Sequence, residues 1–198
     1  MFNSTISVNE LVREVISELH MAPGIYIGTA ARIINSVEQL LYSEIIRKVR
    51  RIDIKLDTPV IKLSDIEVPE GEDSIRSTDV YRIFDDMKEF SRQPADDAYI
   101  MSERPSYVAL SDDELRLSGV HSDAVTLFYI VRPLPKRVEN GVISPDTLRL
   151  PDSFSELMAS RLRGELCKLM GDDNQSAKWL NDYNTYLDDF RQYILRQG

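Results

Sequence analysis

Apolar positions along this chain change their spacing twice, and the changes divide it into three parts. Near the start, Val8, Leu11, Val12, Val15, Ile16 and Leu19 recur three and four residues apart, the stripe of an amphipathic helix. Ser7 followed by Glu10 has the capping-box spacing that would open it. His20-Met21-Ala22-Pro23-Gly24 interrupts the stripe, because proline cannot continue a helix. A second helix is predicted from about Thr29 to Arg51, with Ile33, Ile34, Val37, Leu40, Leu41, Ile45 and Val49 on one side. Arg47, Lys48, Arg50 and Arg51 crowd its expected last turn, where cations suit the helix dipole. Glu38 and Glu44 are assigned to its remaining surface.

From Ile52 the period drops to two. Ile52-Asp53-Ile54-Lys55-Leu56, Ile61-Lys62-Leu63 and Leu115-Arg116-Leu117 alternate like half-buried strands. Tyr107 to Leu110 is a further strand. Ala124 to Val131 is the strongest, rich in β-branched and aromatic residues and ended by Arg132-Pro133. Val80 to Phe90 is read as a short helix. Glu139-Asn140-Gly141 signals a tight turn.

From Leu150 helical spacing returns. Ser153 and Glu156 form another capping-box pattern, followed by Phe154, Leu157, Met158, Leu162, Leu166, Leu169 and Met170. Gly171-Asp172-Asp173 should stop that helix and Asn174 cap the next. In the final helix Trp179, Tyr183, Tyr186, Phe190 and Tyr193 recur at steps of four, three, four and three, with Leu180, Leu187 and Ile194 alongside. The expected fold is α+β: a four-helix bundle built from the N- and C-terminal helix pairs, with a β-rich insertion between them. The expected parts are residues 1–51, 52–150 and 151–198.

Composition narrows the function. The 198 residues are 42% hydrophobic and 29% charged, ordinary for a globular protein. A net charge of −9 argues against a protein that seeks nucleic acid over its whole surface. The single cysteine, Cys167, excludes an internal disulfide and is read as a small buried hydrophobe. No leader peptide or membrane span is expected from the pattern.

No catalytic constellation emerges, so no catalytic residue, cofactor or metal is assigned. His20 and His121 have no Cys, His or carboxylate at ligand spacing and are read as loop residues. The acidic pairs Asp85-Asp86, Asp96-Asp97, Asp112-Asp113, Asp172-Asp173 and Asp188-Asp189 could serve acid–base chemistry or bind divalent cations, but a solvated acidic surface, with capping in turns, is the default reading. There is no G-x-S-x-G elbow and no glycine-rich phosphate loop. The basic end of the second helix could imitate a DNA-reading helix-turn-helix, which makes a DNA-binding regulator the alternative function. The length and apolarity of that helix oppose it.

The aromatic stripe is the more informative feature. Three tyrosines and a tryptophan bring broad area with polar tips, which suits a partly wet protein interface as well as a core. Trp179, Tyr183, Tyr186 and Tyr193 are therefore the candidate subunit contacts. The short polar tail with Arg191, Tyr193, Ile194, Leu195 and Arg196 is the candidate contact with a larger partner.

Taken in order, these pieces resemble the head-to-tail adaptors of tailed bacteriophages, the podovirus tail-tubular type. The resemblance rests on the N-terminal helix with Val8, Leu11 and Val12 and the longer helix around Ile33-Ile34-Asn35. It continues through the strand Leu127 to Val131 with its Arg132-Pro133 exit, Leu150-Pro151-Asp152-Ser153-Phe154, the helix Leu157 to Met170, and the aromatic helix with Tyr183 and Tyr186. The segment Val60 to Asp97 departs from that pattern. The resemblance implies a non-enzymatic virion protein of the neck, assembled in the host cytoplasm. It would form a homo-oligomeric ring, of twelve copies, between the portal and the tail or nozzle protein. Genomic DNA would pass through its channel without sequence recognition, which an acidic lining favours.

Overall fold

A computed structural model describes residue 2 and residues 4–86, 88–94, 104–119 and 122–197. Among the described residues the chain is α+β, with helices at both ends and strands between them. The helices are α1 (Val8–Glu18), α2 (Pro23–Leu40), α3 (Ser155–Leu169) and α4 (Asp173–Gln197). The strands are β1 (Val49–Lys55), β2 (Val60–Lys62), β3 (Val80–Asp85), β4 (Lys88–Glu89), β5 (Ser91–Arg92), β6 (Ser106–Ala109), β7 (Glu114–Ser118), β8 (Ala124–Ile130), β9 (Arg137–Glu139) and β10 (Val142–Ser144). They fall into two compact units. One contains Met1–Ile46 and Pro133–Gly198, so it holds both ends of the chain; the other is Arg47–Arg132.

In the first unit, α1 begins as its sequence directs: the Ser7 hydroxyl accepts from the Glu10 amide at 3.1 Å. α2 starts earlier than expected. Pro23 occupies its first turn, where a missing amide hydrogen costs nothing, so the residue read as a breaker is the initiator. The α-helix also ends earlier, at Leu40, and a wider π-helical turn, Leu41–Ile46, carries the chain on. Ala30, Ala31, Ile34, Val37 and Leu41 join the α1 stripe, Leu157, Met158, Leu162 and Leu166 of α3, and Tyr183, Leu187 and Phe190 of α4 in one apolar cluster. Ile143, Leu148 and Leu150, from the segment between the inserted unit and α3, complete it.

That segment belongs with the helices, not with the insertion as its strand content suggested. It is a two-residue hairpin, β9–β10, turning through Asn140 and Gly141 in left-handed conformation, followed by an extended run to α3. Polar side chains of the N-terminus grip it. Asn9 exchanges hydrogen bonds with the backbone of Ile143, and the Asp146 carboxylate accepts from the Asn9 amide at 2.7 Å and from Ser7. Asp152 accepts from the hydroxyls of Ser4 and Thr5.

The firmest attachment is buried. Glu38, read from sequence as a surface residue, is 1% exposed. Its carboxylate lies 3.3 Å from the Lys136 ammonium, whose side chain is also sealed from solvent, and accepts from the Arg149 amide at 2.8 Å. Lys136 donates to the Thr147 carbonyl, while Asn35 makes a reciprocal pair of hydrogen bonds with the Lys136 backbone. Burial pushes the Glu38 carboxyl up and the Lys136 ammonium down, each opposed by the partner's charge.

The inserted unit has two four-stranded sheets, ordered β1-β8-β3-β4 and β2-β7-β6-β5, antiparallel except for the β5–β6 pair. Val125, Leu127 and Tyr129 of β8 point to one buried face. Val80 to Phe90 is a strand and hairpin, not the expected helix. The reason is local: the register shifts between Val80 and Arg82, a β-bulge that puts Val80 and Ile83 on the same buried face three residues apart. A bulged strand thereby imitates helical spacing. Its buried carboxylates are partnered, Glu72 with Arg50 at 2.6 Å and Asp79 with Arg132. The unit's two chain ends are adjacent, since Val49 pairs with Ile130 and the Val131 amide donates to the Lys48 carbonyl.

Two measurements probe the first unit. Glu38→Ala leaves an ammonium buried without its counter-charge and should cost about 3–5 kcal/mol in urea unfolding, whereas Glu38→Met combined with Lys136→Met should recover most of that loss. The second is acid sensitivity. Burial raises the Asp146 carboxyl, but hydrogen bonds from Asn9 and Ser7 outweigh this and hold it below the ordinary range. Hydrogen bonds from Ser4 and Thr5 lower Asp152 likewise. Groups with depressed folded values contribute stability above the unfolded carboxylate pKa of about 3.9 and lose it as pH falls through the folded values. Thermal melts should therefore show stability falling in that acidic window, less steeply in Asp146→Asn.

Candidate assembly surface

α3 and α4 form an antiparallel hairpin whose turn is chemically explicit. Gly171 adopts φ +80°, the Gly171 amide returns to the Lys168 carbonyl and the Asp172 amide to Cys167. Asp172, not Asn174, caps α4, its carboxylate accepting from the Gln175 amide at 3.0 Å. At the other end Ser153 does not cap α3. A short 3₁₀ turn, Asp152–Phe154, leads in, and Glu156 is drawn instead to Arg163. The helices approach closely at Gly164, where a Cβ would lie 2.8 Å from Leu180.

This pairing sorts the aromatic stripe. Tyr183 is 5% exposed and packs in the chain's own core with Arg161 over its ring, so it is not an open contact as expected. Burial raises its phenol. Trp179 is half-buried beneath the Arg163 guanidinium, 4.9 Å from the ring centroid. Arg163 is itself held by Glu18 of α1 at 2.7 Å and by Glu156, so one indole face is covered from within. Phe190 is fully buried against Phe154 and Phe2. Tyr193 is half-buried beside Phe154 and Phe190. Tyr186 remains open, 37% exposed.

In the terminal residues of α4, Arg191 pairs with Asp188 at 2.8 Å and Ile194 is half-buried against the core. Leu195 is 74% exposed and Arg196 exposed. What α4 leaves to a partner is therefore Tyr186, the outer parts of Trp179 and Tyr193, and the final turn.

The other sequence candidates disperse. Arg47 takes a left-handed turn conformation, and Arg50 and Arg51 lie on β1 paired with Glu72 and Asp53, so the basic helix end does not exist. His20 sits in the turn between α1 and α2, and His121 and the pair Asp96-Asp97 lie outside the described residues. Asp85 accepts from Ser122, Asp113 receives Ser64, and Asp188 is taken by Arg191. Among the described residues no group of His, Cys, Asp and Glu could hold a metal ion, and no helix is long and apolar enough to cross a membrane. Cys167 is buried, its thiol pushed up by burial and then by Asp172, which opposes reactivity.

Sequence reasoning missed Glu38 and Arg163 as organising charges. For Glu38 a signal existed: positions 34, 37, 38 and 41 follow the buried helical phase, so the glutamate falls inside the stripe. For Arg163, and for Lys136 as the partner of Glu38, none did. No protein-family model matches the chain, and no curated protein matches it either.

The division of the stripe predicts unequal substitutions. Tyr183→Ala should cost about 3 kcal/mol in denaturant unfolding through the cavity it leaves, and Tyr186→Ala less than about 0.5 kcal/mol.

Proposed function

We propose that this chain is a structural subunit of a tailed-phage neck, forming a ring, of twelve copies, that joins the portal to the tail and surrounds the DNA channel. In this reading the four helices act as one bundle, the β-rich unit is an insertion in its sequence, and the protein is not an enzyme. The observation that carries it is the architecture of the chain's two ends. Residues 1–46 and 133–198 share one unit, from which 47–132 is an insertion, and α4 then runs to the terminus with Tyr186 and Leu195 uncovered. That is the layout of a scaffold with margins left for neighbours. A net charge of −9 supports passage of DNA without adhesion.

Light scattering on the purified chain, alone and mixed with the portal of the same virus, tests this. The expected result is a ring-sized species in at least the mixture. A strict monomer that ignores the portal overturns the reading.

A further inference from the structure

A groove of about 400 Å³ lies between α2 and α3, and its charge is set by one residue. α2 carries two charged side chains, Glu38, which is buried, and Arg32, which is exposed. Across the groove Arg161 and Glu165 neutralise each other at 2.7 Å. Among the described residues Arg32 has only the Thr29 hydroxyl, at 3.1 Å, as a hydrogen-bond partner. Apolar surface lies beside it: Ile33 is half-buried and Leu169 is 60% exposed.

α4 carries the converse pattern. Asp182, Tyr186 and Asp189 are spaced four and three apart and so share one stripe. The Tyr186 ring is open, and neither flanking carboxylate has an ion-pair partner among the described residues, whereas the adjacent Asp188 is already taken by Arg191. An aromatic face between two free carboxylates is a receptor for a guanidinium, which stacks on the ring and donates to both sides.

We infer that the α2–α3 groove of one copy receives the Asp182–Tyr186–Asp189 ridge of a second copy, with Arg32 laid on the tyrosine ring between the two carboxylates and Ile33 and Leu169 against its edge. The inference rests on the assembly reading above and names its lateral contact. Groove and ridge are different surfaces of one unit, so the contact is heterologous. Each copy can give and receive at once, the class of contact from which a ring is built when the rotation between neighbours closes. Charge selects the occupant: among the described residues' ion pairs, the ridge carboxylates and the Arg32 guanidinium of the groove are unspent.

The test replaces Tyr186 by a photoreactive benzophenone amino acid in isotope-labelled chains, mixes these with unlabelled chains and the portal, irradiates, and maps the cross-links by mass spectrometry. Labelled-to-unlabelled cross-links within residues 25–36 or 161–169 are expected. Arg32→Glu in the unlabelled copy should reduce them on the order of tenfold, through like-charge repulsion. Asp182→Arg with Asp189→Arg in the labelled copy should restore them. Circular dichroism of each variant separates lost contact from lost fold. Cross-links confined to other surfaces, none at all, or a yield indifferent to both charge changes overturn the contact. A chain that fails this test yet forms rings on the portal leaves the assembly reading standing; one that does neither removes both.

Discussion

A buried ion pair between Glu38 and Lys136 ties α2 to the segment that leads into α3. Two charges taken from water are expensive, and their attraction offsets that cost only when the remaining polar atoms are also partnered. Here the Arg149 amide donates to one Glu38 oxygen and the Lys136 ammonium donates to the Thr147 carbonyl, the second Glu38 oxygen has the ammonium alone at 3.3 Å, and Asn35 fixes the Lys136 backbone. Hydrophobic contacts alone would tolerate several positions for the extended run after β10. The charge pair and its backbone hydrogen bonds favour the one observed. That single position places Asp146 and Asp152 under the N-terminal residues and delivers α3 to the core in fixed register.

The same packing decides which aromatic surface remains. α3 presses on α4 through the close approach at Gly164, and Arg163, braced from α1 and α3, covers the indole of Trp179. The core takes Tyr183 and Phe190. An interface drawn from the full stripe therefore contracts to a narrow ridge around Tyr186 and an end turn at Leu195. A small aromatic anchor among charged residues suits a contact repeated many times around a ring, where each copy need contribute little.

Helices were readable because their apolar spacing persists over several turns. Ser7, Pro23 and Gly171 all mark boundaries, although Pro23 opens a helix where breaking one was expected. The strands with clean alternation, β1, β7 and β8, were equally plain. β3 was not, because its bulge shifts the side-chain phase by one residue and the result has the spacing of a helix. The basic run from Arg47 to Arg51 misled for a related reason. The apolar stripe of α2 continues through Ile45 and Val49, but the backbone changes at Arg47, and a one-dimensional pattern does not record that change. Of the candidate surface, the aromatic period was visible in sequence. Its division into core and ridge required knowing where α3 lies.

The insertion also separates in time the synthesis of the two parts of the helical unit. When Ile46 leaves the ribosome, α1 and α2 present apolar faces whose covering residues lie beyond Arg132, separated by the whole of Arg47–Arg132. At translation rates of about 5–20 residues per second that wait is on the order of ten seconds, long enough for exposed helices to find wrong partners. The inserted unit has its two ends hydrogen-bonded side by side and can close on itself in the interval. Pairing those ends sets Lys48 beside Val131, so the insertion parts the two helix pairs in sequence without parting the chain segments that enter and leave it.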